Sequence, residues 1–179
     1  MVNTVENQIL TMQGLINAMT QQESSGRPMV EHPRSGAVGL MQIIPSQAAG
    51  GMRNDMASLF DMATERGFDV ADRSPETARM LLMDPVLNQQ FGREYMQSLL
   101  TKYNGDLDAA MTAYNAGPAS YDNVITSGGT IADMPEREQR NYARDVREEF
   151  RNMYGFDMPE RAVLQSTIPQ PRPRGLLSQ

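Results

Sequence analysis

Glu23 stands where a helix should carry an apolar residue. Apolar side chains fall at Val5, Ile9, Met12, Ile16 and Met19, in steps of four and three that trace one helical face, and a further step of four lands on this glutamate. Its only cation at helical spacing, Arg27, lies between the helix breakers Gly26 and Pro28, so a regular ion pair is not expected. A carboxyl group desolvated without a partner has its pKa raised above the reference of about 4.3, and an acid still protonated near neutral pH is what a general acid requires. The same spacing also suits a carboxylate fraying into solvent at a helix end. Glu138 repeats the pattern, four residues before Tyr142 on a stripe continued by Val146 and Phe150. There the alternative is simple stabilisation by the positive end of the helix dipole after Pro135. Two carboxylates near a cleft point to cleavage of a glycosidic bond, in which one acid protonates the leaving oxygen and a second group works opposite.

Other chemistry is excluded by composition. The chain has 179 residues with no Cys and one His, which removes disulfides, thiol nucleophiles and thiolate or His-cluster metal sites. No metal or cofactor is expected, and any metal would need carboxylate ligands. The formal charge of -6 argues against a nucleic-acid partner. With 40% hydrophobic residues, 6% aromatic and 15 Met, the chain has the makings of an adaptable globular core. No run of about 20 apolar residues exists to span a membrane. The opening residues lack the basic start and apolar run of a secretory signal, so the expectation is a protein that acts where it is made or is carried by another route.

The elements that must position these carboxylates are helices. The first runs to about Ser25 and stops at Gly26 and Pro28, and the two prolines from Pro28 to Ser35 make a loop. The segment from Gly36 to Gln42 carries glycines that let backbone approach a ligand, and Gln42 offers both a donor and an acceptor. It has neither a phosphate-loop lysine nor dinucleotide spacing. One turn is expected over Ser46 to Ala49. Two short helices follow in Asn54 to Met83, separated by a turn over Gly67 to Asp72, the second capped by Ser74 with Pro75 at its first position. Asp84-Pro85 opens a helix that buries Leu87, Phe91, Tyr95 or Met96, Leu99 and Tyr103 and ends at Asn104-Gly105. Asp106 caps another that buries Leu107, Ala110, Met111 and Tyr114 and closes at Gly117-Pro118. After a loop containing Gly128-Gly129, a long helix starts at Pro135 and buries Tyr142, Val146, Phe150 and Met153. From Gly155 the chain is rich in Pro and Arg and cannot bury enough apolar surface to fold alone. The fold class is all-α.

Four segments in this order resemble the soluble lytic transglycosylase family, a lysozyme-like helical domain related to goose-type lysozyme, with a groove for peptidoglycan. Glu23-Ser24-Ser25 is similar to the family's catalytic Glu-Ser segment at a helix end. Gly39-Leu40-Met41-Gln42, followed by Ile43, Ile44 and Pro45, is similar to its Gly-Leu-Met-Gln motif. Residues 113–118, Ala-Tyr-Asn-Ala-Gly-Pro, match a third motif in full. Glu138 and Tyr142, four apart, resemble the last, although Gln139 and Ala143 stand where the family usually has Thr and Val.

The resemblance implies cleavage of the bond between N-acetylmuramic acid and N-acetylglucosamine. Glu23 would serve first as acid and then as base, closing the C6 hydroxyl on C1 to give a 1,6-anhydro end. It implies substrate-binding roles for Ser24, Met41, Gln42, Tyr114, Asn115, Glu138 and Tyr142, each open to a plainer reading. Ser24 can bond back to a carbonyl, Met41 and Tyr114 can be core, and Asn115 can cap its helix. His32, on a Pro-flanked loop, is expected in solvent and is given no role. The domain organisation expected is a catalytic unit over residues 1–154, with about 53–78 an insertion walling one end of the groove, and a tail over 155–179. Two alternatives stay open, a hydrolytic muramidase using Glu138 as second carboxylate and a glycan-binding or virion structural module without turnover. The lack of a signal leads to the expectation of a phage particle component acting on the cell wall, its tail touching other virion proteins, or of a domain excised from a longer protein.

Overall fold

The chain alternates helix starts and stops so densely that little but helix and tight turn can form. The computed structural model describes residues 4–162, with side chains from Met12 onward. The side chains of the stripe positions Val5 and Ile9, and the tail beyond residue 162, therefore lie outside what is described. The α-helices are α1 (Thr4–Ser24), α2 (Pro45–Gly50), α3 (Leu59–Glu65), α4 (Pro75–Leu82), α5 (Pro85–Lys102), α6 (Leu107–Ala116), α7 (Pro118–Thr126) and α8 (Arg137–Tyr154), with one 3-10 turn over Ile131–Asp133. Among the described residues there is no β-strand, only isolated bridges such as Glu31 to Val38 and Val38 to Ile43.

Capping explains the starts. The side chains of Ser58, Ser74, Asp84 and Asp106 each accept a hydrogen bond from a backbone N–H in the first turn of the helix that follows. Pro75, Pro85 and Pro118 occupy first-turn positions, where a missing N–H costs nothing.

Three expectations are corrected. The run after Gly117-Pro118 is not loop, because Gly117 adopts φ +80°, reverses the chain, and hands it to Pro118 as the first residue of α7. A Gly-Pro stop signal is thus also a start signal. Met153 is 43% exposed, and Tyr154 instead continues the α8 stripe, its ring tilted against Phe150 and its hydroxyl accepting from Asn17 Nδ2 of α1. The last helix also begins two residues later than Pro135, at Arg137, with Glu136 and Gln139 forming a reciprocal cap.

Helix α8 packs on α1 and α6, and α6 packs on α5 and α7. The core between them is made of Leu15, Ile16, Met19, Phe91, Met96, Leu99, Val146 and Phe150, all essentially inaccessible. This brings the C-terminal end of α1, which carries Glu23, against the N-terminal half of α8, which carries Tyr142.

Candidate active site

Glu23 lies on the last turn of α1, one turn beyond the buried Met19, and lines a cleft of about 970 Å³. The walls come from the loop between α1 and α2, from Gly50 to Met52, from Tyr95 of α5, and from the α6–α7 junction and the start of α8. No residue from 53 to 78 is among those that line it.

The glutamate is only partly covered because it opens on the cleft, yet protein surrounds its carboxyl closely enough to lift its pKa to about 7. Burial is the main cause. A hydrogen bond from the Tyr142 hydroxyl to Glu23 Oε1, 2.5 Å long, pulls the other way by favouring the charged form, and the nearby negative charge of Glu138 adds to the rise. Tyr142 is itself buried, its ring stacked near-parallel with Tyr114 at 6.5 Å, and desolvation beside Glu23 holds its phenol well above the usual range. The Tyr142 hydroxyl therefore keeps its proton and acts as a fixed hydrogen-bond donor.

The loop that faces Glu23 is built around an amide. Asn88, fully buried on α5, accepts from the Met41 N–H at 2.8 Å and donates to the carbonyls of Val38 and Leu82, each at 2.9 Å. Gly39 passes so close that a Cβ would lie 2.2 Å from Asn88 Nδ2, and its φ of +79° excludes a comfortable side chain as well. The sequence reading overlooked Asn88. Its signal was an amide directly beside Leu87 on the buried face of α5.

Two expected substrate contacts are turned inward. Met41 is completely buried and touches Thr20, whose hydroxyl points at the Met41 sulfur at 3.3 Å, so its side chain is core and cannot reach a sugar face. Ser24 is 2% exposed, with its hydroxyl 3.0 Å from both the Thr20 and Leu40 carbonyls. It straps the end of α1 to the Gly-Leu-Met-Gln loop instead of facing the cleft.

The other expected residues line the cleft together with Glu23. Gln42 has φ +45°, and its Nε2 donates to the carbonyls of Gly39 and Val30, which leaves Oε1 as the acceptor it can offer a ligand. Tyr114 anchors its hydroxyl on the Met41 carbonyl at 2.9 Å. Asn115 reaches across from α6 to donate to Glu138 Oε1 of α8 at 3.2 Å. Tyr95 and His32 also line the cleft, and neither was expected there. Tyr95 is buried in the α5 core together with Met96 and still reaches the cleft wall, which nothing in its spacing announced. His32 had no signal at all, since only the folding of its loop brings it to the cleft. Among the described residues, no cluster of three His, Cys, Asp or Glu side chains could hold a metal ion.

A site of this kind can protonate a leaving oxygen from one acid and hold the substrate by amide and hydroxyl groups. Comparison with known proteins points the same way. Residues 2–133 match the profile of the Transglycosylase SLT domain. The chain is 31% identical over 137 residues to the soluble lytic murein transglycosylase of Salmonella typhimurium, a match spanning 72% of this chain and 18% of that protein. The corresponding figures for the Escherichia coli K12 protein of the same description are 29% over 136 residues, 72% and 18%. Among solved structures, the 70 kDa soluble lytic transglycosylase of Escherichia coli has a TM-score of 0.60 at 28% identity, covering 83% of this chain and 23% of that one. An inactive mutant of the lytic transglycosylase Slt from Pseudomonas aeruginosa, at 23% identity over the same shares, shares the fold with a TM-score of 0.59. The chain thus spans less than a quarter of the length of these proteins.

Proposed function

The chain belongs to the Transglycosylase SLT domain family, and on that premise we propose that it is a peptidoglycan lytic transglycosylase acting on the bond between N-acetylmuramic acid and N-acetylglucosamine. One observation carries the reading: the Glu23 carboxyl, with a pKa of about 7, lines a cleft whose other walls offer amides and hydroxyls.

In the proposed reaction Glu23 starts protonated, which its pKa allows over much of the neutral range, and gives its proton to the leaving glycosidic oxygen. Positive charge developing at the anomeric carbon is stabilised by the substrate's own N-acetyl carbonyl, so no second enzyme carboxylate is needed there. The Glu23 carboxylate left behind is held by the Tyr142 hydroxyl. It then takes the proton from the C6 hydroxyl as that oxygen closes on C1. The cycle ends with Glu23 protonated, a 1,6-anhydro end, and no water consumed. Gln42 Oε1 suits an N–H or hydroxyl of the sugar, and the hydrogen-bonded Asn115 and Glu138 also line the cleft.

The test is mass analysis of digested peptidoglycan. Anhydro ends are expected, whereas reducing ends heavier by one water would establish a hydrolytic muramidase, with Glu138 as the carboxylate that positions water. Binding without either product would leave a glycan-binding module. We also propose, on composition alone, that the Pro- and Arg-rich run 168–179 docks this chain to other proteins of a phage particle. Absence of the chain from purified particles would refute that assignment.

A further inference from the structure

We propose that His32 is a substrate-binding residue at the rim of the cleft, its Nε2–H donating a hydrogen bond to a carboxylate or amide carbonyl of the peptide that branches from the glycan strand. The inference rests on the reading of the cleft as a peptidoglycan site and adds a contact to it.

The ring is fixed by its own loop. His32 Nδ1 accepts from the backbone N–H groups of Arg34 at 3.3 Å and Ser35 at 3.2 Å. A ring nitrogen that accepts carries no proton, so in the neutral imidazole the proton is on Nε2. That atom has no hydrogen-bond partner among the described residues, and His32 is among the residues that line the cleft. The backbone beneath is held from both sides. The His32 N–H donates to the Ala37 carbonyl at 2.8 Å, the Gly36 N–H returns to the His32 carbonyl at 2.9 Å, and the Gly39 N–H donates to Val30 at 2.9 Å. Next in the chain, Glu31 pairs with Arg79 of α4. A donor held this way loses little further freedom when a ligand arrives.

Charge selects the ligand. The cleft lining carries the carboxyl of Glu23, protonated when substrate binds, the carboxylate of Glu138 and, among the described residues, no Lys or Arg. His32 is its one basic side chain. An anionic substituent is therefore disfavoured near Glu138 and finds a donor at His32. Geometry agrees with this: Glu23 is enclosed where the glycosidic bond must lie, whereas His32 is exposed. Sugar rings would occupy the enclosed part, and the peptides project from the strand toward the rim.

The test measures binding to the full chain carrying Glu23→Gln, so that turnover does not interfere. The probes are glycan strands with stem peptides and the same strands freed of peptide by an amidase. His32→Asn keeps a short acceptor for the Arg34 and Ser35 amides, as an Asx turn does, but removes the Nε2–H, while His32→Ala removes both. The expected result is that His32→Asn binds peptide-bearing strands about fivefold more weakly, binds peptide-free strands as before, and unfolds at the parent's temperature. Unchanged affinity of His32→Asn for peptide-bearing strands, with loss in His32→Ala alone, would reduce the imidazole to a loop cap and overturn the proposal. Equal loss on both strands would also overturn it, by moving the contact to the sugar. Whether the native chain forms anhydro ends is read separately, so failure of the proposed chemistry and failure of this contact are distinguishable.

Discussion

Tyr142 donates a 2.5 Å hydrogen bond to Glu23 Oε1 across 119 positions of sequence, joining the end of α1 to the first half of α8. The bond favours the carboxylate, while burial favours the acid, and the balance leaves Glu23 near pH 7. An acid that must give up a proton and later take one back needs a pKa close to the working pH.

Glu23→Gln removes the only proposed acid. Formation of anhydro ends should fall by about 100-fold or more, while the chain stays folded. Turnover within a few-fold of native, measured on purified peptidoglycan, would remove Glu23 from the mechanism.

The same variant has a stability signature. Glu23 has a folded pKa of about 7 against an ordinary 4.5, so between those values the folded chain holds more protons than the unfolded one. The native fold therefore gains stability from this group as pH falls from 7 to 4.5 and carries the full cost of the buried charge above 7. Glu23→Gln lacks that dependence, and at pH 8 it should be more stable than native by roughly 1–3 kcal/mol. Urea midpoints of both proteins at pH 5 and pH 8 provide the comparison.

Tyr142→Phe deletes the bond that lowers the Glu23 pKa. The alkaline limb of the pH–rate profile, where the acid is lost, should move up by about one unit, and the rate at neutral pH should fall because the carboxylate formed by proton transfer loses its donor. A limb that stays in place would show that Tyr142 serves packing alone.

Glu138→Gln should act in the opposite direction. Removing the negative charge that raises the Glu23 pKa shifts the alkaline limb to lower pH, and the amide oxygen can still accept from Asn115. Activity at pH 5 should be nearly native. Complete loss at every pH would favour the hydrolytic reaction, which requires the carboxylate itself.

Asn88→Ala would strip partners from the Met41 N–H and from the Val38 and Leu82 carbonyls in a fully buried place. A cost of about 2–4 kcal/mol is expected, together with loss of activity as the loop bearing Gln42 relaxes. Chemical denaturation read beside turnover checks both.

The sequence by itself determined most of the helix caps and stops and singled out Glu23 as the candidate acid. Caps at Ser74, Asp84 and Asp106 and stops at Gly26 and Asn104-Gly105 are local chemistry, settled within one turn of chain, and they appear in the fold as they read in the sequence. Glu23 was legible because a carboxyl on an apolar stripe is anomalous wherever the stripe packs. Other features depended on contacts between distant segments. Gly117-Pro118 reads as a stop, and only packing of α7 on α6 turns it into a corner. Ser24 and Met41 belong to motifs that face the cleft, yet their own side chains turn away from it, since which side of a loop is buried depends on the partner that arrives, here Thr20 and α5. The pKa of Glu23 is also tertiary. It comes first from burial of the carboxyl and then from Tyr142 and Glu138 arriving from α8, and neither spacing nor composition carries the distance between groups more than a hundred residues apart.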